Sequence, residues 1–274
     1  MPLTHDALDH RGTRCIRLRN EGATALVALH GAQVLSWIPA DGRERLFLGE
    51  RAQFDAGSAI RGGIPVVFPQ FADRGVLRKH GFARLLDWSF AGVADDAAHF
   101  ELRNGTGSAD WPHAFACRLS VALSGSRLGV TLEVENRGDA AFDFTAALHT
   151  YLRVDDLASV AVEGLQGCDY EDSTNGGTLH RQHDYAVAFD GETDRIYGDV
   201  VAPLALVDGE HRLEIEHEGF GDAIVWNPGE RLAAGIADLA PGEHARFVCV
   251  EAGQVLQPVV LAPGESWRGA QLLG

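Results

Sequence analysis

Residues 128–135, Leu128-Gly129-Val130-Thr131-Leu132-Glu133-Val134-Glu135, alternate apolar with small or polar side chains without a break. In an extended chain successive side chains point to opposite faces, so Leu128, Val130, Leu132 and Val134 share one side. A helix would scatter the same four around its axis. Residues 117–123 repeat the pattern, with Cys117, Leu119, Val121 and Leu123 facing one way and Arg118, Ser120 and Ala122 the other. Ile16 and Leu18, Phe100 and Leu102, Val160 and Val162, and Leu213 and Ile215 repeat it over shorter stretches. Segments of this kind bury one face and wet the other, as antiparallel strands do. Turn formers separate them: PADG at 39–42, SGS at 124–126, NRGD at 136–139, and PGE starting at 228, 241 and 263. No stretch of ten or more residues carries an apolar stripe at helical spacing. The pattern predicts an all-β chain folded as one antiparallel β-sandwich domain over 1–274, with no linker, repeat or low-complexity segment.

The composition, 46% apolar and 23% charged over 274 residues, is that of a globular protein with a large core. With 23 Lys+Arg against 39 Asp+Glu the formal net charge is -16, which excludes a broadly basic face for nucleic acid or an anionic membrane. Apolar runs are only a few residues long, so no segment is expected to span a membrane. The opening MPLTHDALDHRGTR has no hydrophobic core behind a basic start, so no secretory signal is expected either. Cys15, Cys117, Cys168 and Cys249 lack CxxC spacing. They read as reduced, mostly buried thiols of a cytoplasmic protein, forming neither a disulfide frame nor a zinc site.

Against this acidic background, residues 61–84, RGGIPVVFPQFADRGVLRKHGFAR, gather Arg74, Arg78, Lys79 and Arg84 around His80 and open with Arg61. Such a local cluster suits a small anion, although composition alone equally allows a solvated surface loop. Glycines and a proline beside Arg61 permit the tight turns that would hold it in place.

Several familiar motifs are absent: there is no GxSxG and no GxxxxGK[ST]. Gly105 and Gly107 begin a GxGxxG, but Asp110 stands where the third glycine belongs. His180 and His183 have a spacing that could suit a metal, yet their polar loop supplies no third ligand. In FDFTAALHTYLRV (142–154), His149 falls on the face opposite Phe142 and Phe144, so a strand would hold a titratable imidazole rigidly for acid–base work. A hydrogen-bonded structural histidine fits the same pattern. Glu251 closes the run ARFVCVEAG, apolar at both parities, where a carboxylate is costly unless paired or used. A strand-end residue entering a turn at Gly253 is the alternative.

Taken in order, HGAQVLSW (30–37), RGGIPVVFP (61–69), KHGFAR (79–84), LHTYL (148–152), GETDRIY (191–197) and FVCVEAG (247–253) resemble the glucose-6-phosphate 1-epimerase family, the hexose-6-phosphate mutarotases. The resemblance implies a galactose-mutarotase-like β-supersandwich and interconversion of the anomers of a hexose 6-phosphate, without metal or other cofactor. It implies that His149 and Glu251 are catalytic, with Glu251 ionised as base and His149 as acid on opposite sides of the sugar ring. Arg61 and Arg84 match substrate-binding arginines suited to phosphate, and Asp194 a substrate-binding aspartate. Lys79 stands where relatives can carry glutamine and would contact phosphate or a sugar hydroxyl; His80 is a further polar contact. The implied partner is a small sugar phosphate. A mutarotase for unphosphorylated aldoses and a non-catalytic carbohydrate-binding sandwich remain open.

Overall fold

A computed structural model describes residues 2–104, 108 and 110–274; the Gly105/Gly107 motif lies outside them. Three antiparallel sheets make up the architecture. The N-terminal strands Thr4–His10, Thr13–Asn20, Ala23–Ala28 and Val34–Ile38 form a four-stranded meander. A nine-stranded sheet contains the two runs that announced the fold. Phe115–Leu123 pairs with Leu128–Asn136 in unbroken register from Phe115↔Asn136 to Leu123↔Leu128. Their apolar parities are buried, and the opposite parities are partly or fully exposed throughout.

The third, eight-stranded sheet carries the chemistry. Its central strand, Phe247–Leu261, lies between Asp222–Asn227 on one side and both Phe142–Leu148 and Tyr151–Arg153 on the other. Thr193–Tyr197 pairs with the far edge of Asp222–Asn227. Val248, Val250 and Ala252 point into a core shared with Leu119, Leu132 and Val134 of the nine-stranded sheet and with Val27 and Trp37 of the meander. Phe247 and Cys249 pack on the other face with Phe47, Tyr151 and Leu239. Burying one valine contributes on the order of 1.5–3 kcal/mol, and a one-residue slip would drive Glu251 into the core in exchange for Val250 or Ala252. The register is therefore strongly held.

PGE at 228 does not make a simple turn. It opens Gly229–Ala233, the one α-helix among the described residues. No helix there is long and apolar enough to cross a membrane.

Candidate active site

Register places the site. Leu148 is opposite Ala252 and Tyr151 is opposite Cys249, so the intervening His149 faces Glu251. Ile196 pairs with Ile224, and Ile224 with Glu251; two residues along, on the same face, Asp194 pairs with Trp226, and Trp226 with Cys249. Two rows therefore cross the face of the sheet turned away from the main core, Ile196–Ile224–Glu251–His149 and Asp194–Trp226–Cys249–Tyr151. Loops from 61 to 84 cover one side, and the result is a cleft of about 650 Å³. All seven residues singled out from sequence, Arg61, Lys79, His80, Arg84, His149, Asp194 and Glu251, line this one cleft.

Two expectations need correction. His149 is not within a strand: the ladder stops at Leu148 and resumes at Tyr151. The His149 amide donates to Pro65 O at 3.0 Å, one step beyond the Leu148–Val66 pair, which ties the histidine to the segment that follows Arg61. Glu251 is not a strand end; it lies in the first half of a fifteen-residue strand and is 1% exposed. A third correction concerns their relation. His149 Nδ1 and Glu251 Oε1 are 3.3 Å apart, side by side on the floor of the cleft, not on opposite sides of a sugar ring. The side-by-side arrangement suits the reaction, because the ring oxygen and the anomeric hydroxyl are bonded to the same carbon.

His149 Nδ1 and Glu251 Oε2 are buried without a hydrogen-bond partner in the protein. Groups left in this state are costly and are typical of reactive sites. Burial pushes the Glu251 carboxyl well above the carboxylate range, and nearby Asp194 adds to the rise. Burial pushes the His149 imidazole well below its usual value, and the Arg84 and Arg61 charges act in the same direction. Burial thus disfavours the charged form of each group, and the two titrate as a coupled pair. His149 is also fixed in orientation, stacked on Tyr151 at 4.9 Å and meeting the edge of Trp226 at 5.8 Å.

The cationic wall is built from the glycine-rich stretch. Gly62 and Gly63 have φ of +111° and +62°, and a Cβ on either would meet a backbone oxygen at 2.3 or 2.1 Å, so no larger residue fits. Buried Gln33 donates to Ile60 O and Gly62 O, at 3.0 and 2.6 Å, clamping the backbone on both sides of Arg61. Arg61 Nε donates to Asp238 at 3.1 Å and Nη1 to the Tyr151 hydroxyl at 2.8 Å; the Tyr151 oxygen and the Asp238 carboxylate hold the guanidinium charged. Only part of the Arg61 fork is left for a ligand. Arg84 is freer: Nη2 donates to Lys79 O at 2.9 Å, while Nε has no partner. Burial lowers Arg84 to about 10, which leaves it cationic at neutral pH.

His80 has φ +63° and is 8% exposed. Its Nδ1 accepts from the Ala72 amide at 3.3 Å, so its proton is on Nε2. Burial and then the neighbouring His149 keep it neutral, making it a donor for a hydroxyl. Asp194 is raised by burial and steadied by Ser173 and Lys79. Of the sequence cluster, Arg74 lines the rim paired with Glu171, whereas Arg78 does not reach the cleft. Sequence reading gave no role to Tyr151, Trp226 or Asp238. Tyr151 shares the parity of His149 and was within reach of that argument; Asp238 carries no local signal. His180 bonds Thr178 at the surface and His183 is exposed, and among the described residues that pair gathers no further ligand.

The chain belongs to the aldose 1-epimerase family, whose profile matches residues 14–274. A Cenchrus ciliaris protein provisionally named glucose-6-phosphate 1-epimerase is 37% identical over 260 residues, covering 89% of this chain and 79% of its own. The crystal structure of a protein from Salmonella typhimurium provisionally described as a mutarotase, YeaD, superposes with a TM-score of 0.88 at 30% identity, over 99% of this chain and 92% of that one. A galactose mutarotase-like protein from Clostridium acetobutylicum, 17% identical, shares the fold with a TM-score of 0.76 over 100% of this chain and 98% of its own.

Proposed function

We propose that this protein, acting as one domain over 1–274, interconverts the α and β anomers of a hexose 6-phosphate, with glucose 6-phosphate the foremost substrate. The single observation that carries the reading is a cleft with an acid–base pair on its floor, His149 and Glu251 3.3 Å apart, and Arg61, Lys79 and Arg84 on its wall. The provisional name of the Cenchrus relative points to the same substrate.

The chemistry balances within the pair. One group takes the proton of the anomeric hydroxyl, the C1–O5 bond breaks as the C1 carbonyl forms, and the other gives O5 a proton. The open aldehyde turns about C1–C2. O5 then returns its proton and attacks the opposite face of C1, while O1 regains a proton from the first group. The pair ends as it began, and the cycle needs no external electron or proton source. Burial raises Glu251 and lowers His149, so a single proton is passed between the two groups as one serves O1 and the other O5.

The active form holds one proton on two coupled groups, so kcat/KM against pH is bell-shaped with macroscopic limits. The acid limb requires a second proton on the depressed His149 and falls below the usual imidazole range. The alkaline limb requires loss of the last proton, held by the raised Glu251, and falls above the usual carboxylate range. Substrate phosphate adds its own ionisation near pH ~6. A flat profile on intact protein contradicts a two-group mechanism.

Polarimetry of freshly dissolved α-glucose 6-phosphate tests the reading. The enzyme accelerates the approach to the spontaneous equilibrium rotation without changing its end point, and inorganic phosphate or sulfate slows it. Acceleration of glucose equal to that of glucose 6-phosphate overturns the phosphate assignment.

A further inference from the structure

Cys249 lies under the acid–base pair and has no task in the cycle above. Its Sγ, a ring nitrogen of His149 and a carboxylate oxygen of Glu251 all lie within 4.8 Å of one another. All three residues are buried, and among the described residues no second such group of histidine, cysteine and acidic side chains converges. Register accounts for the meeting, since Cys249 and Glu251 are two apart on one strand and His149 faces Glu251.

A zinc-class ion binds imidazole nitrogen and carboxylate oxygen at about 2.0–2.1 Å and thiolate at about 2.3 Å, in tetrahedral geometry. Two donors 3.3 Å apart, as His149 Nδ1 and Glu251 Oε1 are, subtend close to the tetrahedral angle at those radii. Nδ1 and Glu251 Oε2 make no competing hydrogen bond in the protein. Sγ, within 4.8 Å of both donors, must draw closer to them to fill the third position, and His149 and Glu251 line the cleft from which a fourth ligand would come. Thiolate and carboxylate together offset the ion's charge, against the opposing field of Arg61 and Arg84.

The geometry points to a binding site for a thiophilic divalent cation, Zn²⁺ or Cd²⁺, on His149, Cys249 and Glu251. One nitrogen, one sulfur and one oxygen select against Ca²⁺ and Mg²⁺, which take sets of oxygen ligands. Binding releases the thiol proton to solvent and involves no redox change. The ion occupies the lone pairs that handle protons, so it competes with the sugar. That competition rests on the function proposed above; the binding does not.

Co²⁺ added to the purified enzyme is the probe. The site predicts a thiolate-to-metal band in the near ultraviolet, with tetrahedral d–d bands, which Zn²⁺ removes. Zn²⁺ inhibits anomer exchange less as substrate is raised, and EDTA restores the full rate. Cys249→Ser and Cys249→Ala abolish the near-ultraviolet band and weaken Zn²⁺ inhibition at least about tenfold, as loss of a metal-holding group does, while basal exchange persists. His183→Ala changes neither. A missing band, or one that survives both Cys249 variants, overturns the site. A band that follows Cys249 without inhibition overturns the competition and the assignment of His149 and Glu251 to catalysis, and leaves the metal site standing.

Discussion

Glu251→Gln and His149→Asn each lower kcat for anomer exchange by roughly two or more orders of magnitude, as loss of a positioned acid or base does. The fold survives both, and the sign of the stability change follows from the shifts. Glu251 is raised by burial, so the folded state holds its proton more tightly than the unfolded chain. Its contribution is fully present below the unfolded carboxyl pKa and is lost as pH rises through the folded one. An amide cannot ionise, so Glu251→Gln is at least as stable as the parent at pH 8. His149 is depressed, so stability is lost as pH falls through the unfolded imidazole range. His149→Asn escapes that loss and gains relative to the parent at pH 5. Exchange rates with thermal unfolding at the two pH values test both statements. Near-parental exchange in either variant removes that residue from the mechanism.

Arg84→Ala lowers kcat/KM for glucose 6-phosphate roughly ten- to a hundredfold and leaves glucose nearly unchanged, because a charge-assisted hydrogen bond contributes about 1.5–3 kcal/mol. Arg84 is the better phosphate ligand of the two arginines, since Arg61 already spends Nε on Asp238 and Nη1 on Tyr151. Arg84→Lys restores part of the loss, as a point charge cannot reproduce the fork. Raised salt weakens binding even though the protein is acidic. Lys79 is exposed, and Lys79→Gln has the milder effect if it meets a hydroxyl and a larger one if it meets phosphate. Equal losses for both sugars in Arg84→Ala would make the arginine a support of the fold.

The strands were legible because a half-buried sheet writes its period into the sequence. Leu128–Asn136 and Phe115–Leu123 follow the alternation almost residue by residue. Parity also assigned His149 to the face opposite Phe142 and Phe144, which proved to be the cleft. Parity does not give register, however, and register is what sets His149 beside Glu251 across strands distant in sequence. The opposed arrangement of the pair was therefore misjudged, and only the family resemblance brought the two residues into one site. The ladder break after Leu148 left no mark in the alternation, and the acceptor of the His149 amide, the Pro65 carbonyl, lies in another segment. Asp238 was missed for the same reason: it meets Arg61 across 177 positions and belongs to no periodic run. The cationic stretch was legible as a cluster, but only the fold separates Arg84, which faces the cleft, from Arg78, which does not.

Exchange spectroscopy by NMR at anomeric equilibrium, run on glucose 6-phosphate and glucose with parent and Glu251→Gln proteins, tests the central claim most directly. The account predicts strong enzyme-dependent exchange between the α and β H1 signals of glucose 6-phosphate, much weaker exchange for glucose, and collapse of both with Glu251→Gln. Exchange of glucose as fast as glucose 6-phosphate, or exchange that persists in Glu251→Gln, would contradict it.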